Sequence, residues 1–422
     1  MGKALVGLMM AAIMAAIPQT VSAADPAPVA GWDEFVTTLR DLPAKLLAKL
    51  PEPMRNDPQV QQEVGRLVLE SLASGTLETL AGDGDHPMFL TQIGQVLNVG
   101  QPNADTVYRT ARITPGGSYR IRGRRGSIRM FNISQAGLMP GEPGFVPGTN
   151  VQREAFDLNA LKPDAQGNFE FLLSPEKPAG YTGAWWKLQP STVRLLVRMV
   201  SSDWSKERDP TLSIERVDGP ATRPRPTAAE LEQRLRRLPA TTTFMAQLFI
   251  DHVDALRREG YVNKLKVFDV SQMGGLAGQS YYEGAYDLKD DEALIIETRA
   301  PAKCTYRSLI LTNALYETTD WYNNHSSLND SQSSIDKDGV LRMVVSAKDP
   351  GVANWLDTAG YPVGAIQGRW FGCDSTPIPS VRKVAVADVQ KLLPPETKKV
   401  TPAEREQLVR ARRATLQQRP LW

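Results

Sequence analysis

The residues best suited to chemistry form one polar and aromatic run, Asp320-Trp321-Tyr322-Asn323-Asn324-His325. Its rings offer stacking surface, and its imidazole and carboxylate can move a proton. We therefore take His325 and Asp320 as candidate catalytic residues and Trp321 and Tyr322 as candidate ligand contacts. The alternative is an aromatic loop that fills one end of a β-sandwich.

A second polar run, PNADTVYR at 102–109, leads into an alternating segment. Asn103 and Asp105 can hydrogen-bond to local backbone in a turn, whereas Tyr108 and Arg109 project to opposite faces of a strand. As a binding site, these four residues would supply hydrogen bonds and a cationic contact. The alternative is an ordinary Asx turn beside an ion pair.

A third run, DPGVANWLDTAG at 349–360, is too rich in turn formers to be regular structure. It provides Asn354, Trp355 and Asp357 as candidate ligand contacts. Arg369 follows on the same strand face as Gln367 and is a candidate catalytic residue, because a guanidinium binds anions and stabilises negative charge. Polar loops at strand ends often gather at one rim, so we expect at least two of the three runs to line one pocket.

Composition limits what such a site can be. The chain has 422 residues with Lys+Arg 49 and Asp+Glu 47, and its net charge of +2 gives no reason to expect nucleic acid as a partner. Three His and two Cys are too few for zinc fingers, iron–sulfur clusters or a disulfide scaffold. The chain contains no nucleotide-binding glycine motif, no nucleophile elbow and no H-E-x-x-H. We expect no metal and no cofactor, and whether the protein is an enzyme stays open.

The elements that must position these residues follow from the hydrophobic periodicity. Residues 31–84 place apolar side chains at helical spacing, whereas 108–217 consist of short alternating segments. A Pro-rich linker at 218–226 precedes a Thr227/Glu230 capping box and a helical stretch, and alternation returns over 266–376. The pattern predicts a mainly β protein with helical additions, in which a helical segment joins two antiparallel β-sandwich or jelly-roll-like blocks.

We therefore expect six parts along the chain. They are a signal peptide (1–23), an N-terminal helical region (24–100), a first β domain (101–217), a linker and helical segment (218–265), a second β domain (266–380) and a basic C-terminal helical tail (381–422).

The tail helix begins at a second capping box, Thr401 with Glu404. Its arginines are Arg405, Arg410, Arg412 and Arg413. Because its apolar stripe is weak, we expect these arginines to face solvent and the β domains to fold without the helix.

Residues 1–23 have the form of a signal peptide, with a charged start, a short apolar run and small residues before Ala24. The run is too short to cross a membrane comfortably, so we expect cleavage near Ala23, a periplasmic or secreted protein and no transmembrane segment in the mature chain. In an oxidising compartment Cys304 and Cys373 are candidates for a disulfide. Two buried free thiols are the alternative.

Four segments carry a family resemblance: PNADTVYRTARITPGGSYRIRGRRG, LLVRMVSSDWSKERDPTLSIERV, SYYEGAYDLKDDEALIIE and DPGVANWLDTAGYPVGAIQGRW. They resemble the bacterial family called domain of unknown function 1214, which often occurs with the related domain of unknown function 1254. The resemblance runs from about His86 to Gly372 and includes the second β domain. It implies a two-block, β-rich fold with helical additions, and it implies no reaction.

Three functions fit these observations. The first is an exported protein that binds a small amphipathic or sugar-like ligand in a cleft between β-rich domains, since Trp and Tyr beside Asn and Asp suit such a ligand. The second is a periplasmic hydrolase or lyase that uses His325 or Asp320 with an arginine. The third is a structural module of the cell envelope. The expected partner is a small molecule or an envelope component, and the sequence does not indicate the oligomeric state.

Overall fold

The computed structural model describes residues 27–139, 142–146, 155–269, 276 and 278–420. The expected signal peptide lies outside the described residues. Within them, no helix combines the length and the apolar character needed to cross a membrane.

The first β domain is a sandwich of two four-stranded sheets. Its strands are β1 Thr106–Arg112, β2 Tyr119–Arg124, β3 Met130–Ala136, β4 Ala155–Asp157, β5 Asn168–Ser174, β6 Ala184–Lys187, β7 Arg194–Val200 and β8 Thr211–Arg216. They pair in the orders β1-β7-β3-β4 and β6-β5-β2-β8, antiparallel throughout except for β5 with β6. In β7 the alternate residues Leu195, Val197 and Met199 enter the core between the sheets, as their spacing predicts.

The second β domain is a sandwich of a five-stranded and a four-stranded sheet. Its strands are β9 Lys266–Phe268, β10 Gln279–Asp287, β11 Glu292–Arg299, β12 Cys304–Leu311, β13 Ser327–Asn329, β14 Val340–Ser346, β15 Trp355–Asp357, β16 Val363–Cys373 and β17 Ser380–Ala385. The orders are β13-β12-β16-β10-β9 and β15-β14-β11-β17, with only β14 and β15 parallel. Tyr286, Ile296 and Trp370 belong to the core between these sheets. The predicted fold class, mainly β with helical additions, is confirmed.

The helices of the N-terminal region and of the domain junction form one bundle. They are α1 Trp32–Leu47, α2 Glu52–Arg55, α3 Pro58–Thr76 and α4 Ala228–Gln247, whereas α5 (His252–Arg258) packs on β10 of the second sandwich. The predicted capping box of Thr227 and Glu230 starts α4. Leu46, Leu67 and Ala246 come from three different helices and share one apolar core. Two stretches that are separate in the sequence therefore pack as a unit.

The two sandwiches meet through the outer faces of one sheet each. Met130 and Val200 alternate with core residues of the first sandwich, so they project outward from it. They pack against Tyr306, which projects outward from β12 of the second sandwich. Polar residues on these two faces are therefore buried by the other domain and do not face solvent.

The C-terminal helix docks onto both domains. After α6 (Val389–Leu392), α7 spans Pro402–Leu416 and starts at the predicted capping box. Arg405 and Arg412, seven residues apart, lie on one helix face. Both are buried, at 6% and 7% exposure, and so is Arg419 beyond the helix end, at 7%.

Each of these arginines has a protein acceptor. Arg405 Nε donates to Asp349 Oδ2 at 2.9 Å, and Arg412 Nη2 donates to Ser327 Oγ at 2.7 Å, both in the second domain. Arg419 binds Asp209 of the first domain, with Nη2 donating to Oδ1 at 2.7 Å. The prediction of a solvated arginine face is therefore wrong for Arg405 and Arg412, because carboxylate, hydroxyl and carbonyl acceptors of the β domains cover that face.

The two cysteines lie directly opposite each other on β12 and β16. They form a disulfide between Cys304 and Cys373, which confirms the predicted pairing. Both side chains pack beside the core of the second sandwich.

Removing this disulfide should lower the free energy of unfolding by roughly 2–4 kcal/mol, since it closes a long loop in the unfolded chain. Denaturant unfolding of the Cys304→Ser/Cys373→Ser double variant against the oxidised wild type measures the effect. Dithiothreitol should destabilise the wild type and leave the double variant unchanged. Equal stability of the two oxidised proteins would contradict the prediction.

Candidate functional site

Residues from two of the three polar runs line one pocket at the domain junction, which we call the interdomain pocket. Its walls include Tyr108 and Arg109 from β1, Trp321 and Tyr322 from the loop after β12, and Leu416 from α7. The cavity volume is about 40 Å³. That volume holds a few water molecules.

The guanidinium of Arg109 joins β1 to the end of the chain. Its Nη1 donates to Thr91 Oγ1 at 2.7 Å and to the Tyr108 carbonyl at 2.9 Å, and its Nη2 donates to the Pro420 carbonyl. Burial lowers the pKa of Arg109. These contacts hold the C-terminal segment at the wall of the interdomain pocket.

Asp105 lies deeper in the junction, at 2% exposure. Its Oδ1 accepts hydrogen bonds from Trp204 Nε1 at 2.9 Å and Asn329 Nδ2 at 2.7 Å, and its Oδ2 accepts one from the Tyr306 hydroxyl at 2.6 Å. Arg419 Nη1 donates to its main-chain carbonyl at 2.7 Å. Burial raises the pKa of Asp105, and the hydrogen bonds from Tyr306 and Asn329 oppose that rise. Asp105 therefore connects the first domain, the second domain and the C-terminal segment.

Asn103 extends the network around Asp105. Its Nδ2 donates to the Tyr306 hydroxyl at 2.8 Å, and its backbone N–H donates to the Tyr108 hydroxyl at 3.1 Å. The predicted contacts at 103–109 thus fall into two groups. Asn103 and Asp105 bind the second domain, whereas Tyr108 and Arg109 line the interdomain pocket.

The two predicted proton-transfer residues of the loop lie in different surroundings. Asp320 Oδ1 accepts hydrogen bonds from Gln95 Nε2 at 2.9 Å and from the Tyr322 N–H at 3.1 Å, which orders the turn. His325 is buried, and its Nδ1 lies 2.5 Å from the Trp355 carbonyl.

Contacts with α7 surround the His325 ring. Arg405 Nη1 lies 3.5 Å from both ring nitrogens. Burial, together with the charges of Arg412 and Arg405, holds the pKa of His325 well below its usual value. The ring is therefore neutral at physiological pH, and it is not among the residues that line the interdomain pocket.

The third run fixes local backbone away from the interdomain pocket. Asn354 Nδ2 donates to the Arg342 carbonyl at 2.8 Å, and Trp355 Nε1 donates to the Ser346 carbonyl at 3.1 Å. Asp357 Oδ1 accepts a hydrogen bond from the backbone N–H two residues later, at 2.8 Å. These contacts are those of a structural loop.

Arg369 lies apart from the other candidates, on the outer face of the second sandwich. On β16 it is directly opposite Tyr281 of β10 and Ser308 of β12, so the three side chains share one face. It is 5% exposed. Its Nη2 donates to Gln101 Oε1 at 3.1 Å, and its guanidinium carbon lies 5.5 Å from the centre of the Tyr281 ring.

The next row of the same face contains a buried glutamate. Glu283 of β10 is directly opposite Gln367 of β16. Its Oε2 lies 2.9 Å from His252 Nε2 and accepts a hydrogen bond from the Tyr316 hydroxyl at 3.3 Å. Gln367 Nε2 donates to the same hydroxyl at 2.6 Å. We give the name polar cluster to seven residues of these two rows and their partners: Gln101, His252, Glu283, Ser308, Tyr316, Gln367 and Arg369.

The first sandwich contributes polar residues beside this cluster. Arg198 of β7 is opposite both Tyr108 of β1 and Asn132 of β3, on the outer face. Burial lowers the pKa of Arg198, and the nearby hydroxyls of Tyr108 and Tyr281 oppose the change. Tyr281 therefore has an arginine of each sandwich as a neighbour, which places the polar cluster at the junction.

Five polar atoms of the cluster have no hydrogen-bond partner among the described residues. They are Gln101 Nε2, Glu283 Oε1, Ser308 Oγ, Gln367 Oε1 and Arg369 Nη1. Each belongs to a residue that is at most 6% exposed. A buried polar group without a partner costs about 1–3 kcal/mol, so a bound polar molecule would stabilise this face.

Two residues of the polar cluster also have unusual backbone angles. Gln101 and Tyr316 have φ of 55° and 64°, in the left-handed region that residues other than glycine rarely adopt. In the described part of the chain, the other non-glycine residues with positive φ are Asn263 and Ala359. Such strain persists where the surrounding structure enforces it and is common at binding sites.

Helix α3 anchors the loop that carries Tyr316. Arg66 Nη2 forms an ion pair with Glu317 Oε2 at 2.8 Å, and Asn98 Nδ2 donates to the Thr318 carbonyl at 2.6 Å. Burial and the nearby charge of Glu317 raise the pKa of Glu70 to about 7. The loop is therefore attached to the helical bundle at a site where the carboxylates of Glu70 and Glu317 lie close together and repel each other.

Sequence reasoning identified Arg369 and the face it shares with Gln367, but it missed Gln101, Glu283 and Tyr316. One signal was present, since β10 carries a glutamate within a strand whose neighbours on both faces are largely apolar. A charged residue in such a strand is buried only when it has partners or a function.

No protein-family model matches the chain, and no curated protein matches its sequence. Among solved structures, the chain is similar to an uncharacterized protein from Burkholderia cenocepacia, with 28% sequence identity and a TM-score of 0.77, over 85% of this chain and 97% of that chain. A protein from Vibrio parahaemolyticus has 14% identity and a TM-score of 0.44, over 76% of this chain and 99% of that chain. The first likeness shows that another bacterial chain shares the fold, and neither description names an activity or a ligand.

Asp105→Asn should lower the free energy of unfolding by roughly 2–4 kcal/mol, because an amide offers one acceptor oxygen to three donors and adds donors of its own. Denaturant unfolding at pH 7 measures the change. Asp290→Asn, at an exposed position, is the matched control and should be neutral. A loss below about 0.5 kcal/mol, the usual scale of a surface change, would show that the network does not join the domains.

The raised pKa of Glu70 predicts a stability that declines with pH. The folded protein binds this proton more tightly than the unfolded chain does, so its stabilising effect is complete below about pH 4.5 and is lost as pH rises to about 7. Glu70→Gln should reduce that decline and stabilise the protein at pH 8 by about 1–2 kcal/mol. Unfolding curves from pH 4.5 to 8 test this, with exposed Glu396→Gln as control. A variant that retains the full decline would contradict the assignment to Glu70.

Proposed function

We propose that the protein is an exported binding protein that holds a small polar or amphipathic ligand between its two β-rich domains. The observation that supports it most directly is the polar cluster, in which five buried polar atoms lack a partner among the described residues. A buried polar atom without a partner is unfavourable, so a ligand that pairs with these five atoms would stabilise the junction. The two strained residues of the cluster, Gln101 and Tyr316, support the same proposal.

The interdomain pocket supplies apolar surface on the same junction. Tyr108 lines this pocket and also lies beside Arg198, next to the polar cluster. An amphipathic ligand would place its polar part on the cluster and a small apolar part toward Trp321.

The alternative of a hydrolase or lyase built on His325, Asp320 and Arg369 has less support, since these residues lie in three different surroundings. His325 is neutral and covered by α7, and Asp320 orders its own turn. The proposal also includes export and membership in the domain of unknown function 1214 family. Both rest on the sequence features described above.

Thermal unfolding of the mature protein with a panel of small acids, amino acids, amines and sugars tests the proposal. At saturation, a ligand of the polar cluster should raise the melting temperature by a few degrees. Ser308→Val should abolish that shift, because it fills the cluster while removing a hydroxyl that has no partner among the described residues. Ser213→Val, at an exposed strand position, is the matched control and should retain the shift.

The proposal fails if no member of the panel shifts the melting temperature and a high-resolution crystal structure shows only ordered water on the five polar atoms. That pair of results would favour the structural cell-envelope module.

A further inference from the structure

We infer that the ligand of the polar cluster is a small carboxylic acid that carries a hydroxyl or amino group a few atoms from its carboxylate. The inference rests on the proposed function and adds the chemical class of the ligand. It follows from a difference between the two rows of side chains on the sheet face. The Arg369 row has donors without acceptors among the described residues, and the Glu283 row has acceptors without donors.

The row of Arg369 requires an anion. Its cationic guanidinium is buried, and none of the ion pairs among the described residues includes it. Its hydrogen bond goes to the neutral amide of Gln101, and the ring of Tyr281 offsets the charge only in part. No carboxylate among the described residues contacts this buried cation directly, so an anionic group of the ligand would stabilise it.

The donors in this row match a carboxylate. Arg369 Nη1 and Gln101 Nε2 both lack an acceptor among the described residues. They belong to side chains that are hydrogen-bonded to each other, so a carboxylate bound at this point would be near both donors. Ser308 Oγ, on the neighbouring strand, is a further donor.

The row of Glu283 requires a hydrogen-bond donor. Glu283 Oε1 and Gln367 Oε1 are acceptors without a donor among the described residues, whereas Glu283 Oε2 already interacts with His252 and Tyr316. The two rows are two residues apart along the strands, which is roughly 7 Å. A hydroxyl or ammonium group a few atoms from the carboxylate spans this distance.

Other ligand classes leave one row unsatisfied. A neutral sugar brings no charge to Arg369, and a simple fatty acid brings no donor to Glu283 and Gln367. A phosphate dianion would neutralise Arg369, but its second negative charge would lie near the Glu283 carboxylate.

Isothermal titration of the mature wild-type protein tests the ligand class. The probes are hydroxy acids and amino acids of two to four carbons, propionate and butyrate, the methyl esters of the hydroxy acids, inorganic phosphate and glucose. At least one hydroxy or amino acid should bind about tenfold more tightly than the simple acid of equal length, and its methyl ester should lose about tenfold or more. Whether the hydroxyl or the amino series binds identifies the donor group.

Gln101→Glu is the sharpest variant, because it places a carboxylate of the protein directly against Arg369. It should raise the melting temperature of the ligand-free protein and weaken binding of the acid by about tenfold or more. Arg369→Met should also weaken binding, and Arg382→Met, at an exposed position on the edge strand β17, is the matched control that should bind like wild type.

Three outcomes overturn the inference and are distinguishable. If glucose or an ester binds and no acid does, the ligand class is wrong while the proposed binding function stands. If acids bind the wild type and Gln101→Glu equally well, the carboxylate does not lie on Arg369 and the assignment is also wrong. If no probe binds and the melting-temperature panel is silent, the proposed function fails as well.

Discussion

Asp105 is 2% exposed, and a carboxylate buried to this extent is stable only when hydrogen-bond donors surround it. Its donors come from Trp204 in the first domain and from Tyr306 and Asn329 in the second. The two sandwiches can satisfy this charge in only one relative placement, because moving either one removes a hydrogen bond from a buried ion. Arg419 then binds the main-chain carbonyl of Asp105, which fixes the C-terminal segment at the same point.

The C-terminal helix completes this arrangement through arginines at seven-residue intervals. Burial lowers the pKa of Arg412 to about 10, and the charge of Asp105 opposes this. Arg412 remains charged at neutral pH, so it needs the acceptors that the Trp321 carbonyl and Ser327 provide. The same docking encloses His325. The imidazole of the loop at 320–325 therefore lies under α7 and does not line the interdomain pocket.

The structural elements that depend on local sequence patterns could be predicted from the sequence. Alternation predicted both sandwiches, Thr227 and Thr401 predicted the helix starts, and the even cysteine count, with an expected oxidising compartment, predicted the disulfide. The faces that meet at the junction were not predictable in this way, because an outward polar residue such as Glu283 has the same spacing whether water or another domain covers it. His325 was misleading for the same reason, since the helix that covers it follows about 80 residues later in the chain.

The buried polar groups at the junction are of two kinds, the Asp105 network and the polar cluster. We assign a structural role to the first and ligand binding to the second. Around Asp105 each carboxylate oxygen has a donor, so this network stabilises the domain placement without help from another molecule. The polar cluster lies on a neighbouring part of the same sheet, where five polar atoms have no partner in the part of the chain that the structure describes and two residues are strained. Because apolar residues would fill that face at lower cost, its polarity is best explained by a molecule that pairs with it. The network around Asp105 fixes the relative placement of the two domains and therefore the geometry of the polar cluster. Recognition of a small ligand requires such a fixed geometry.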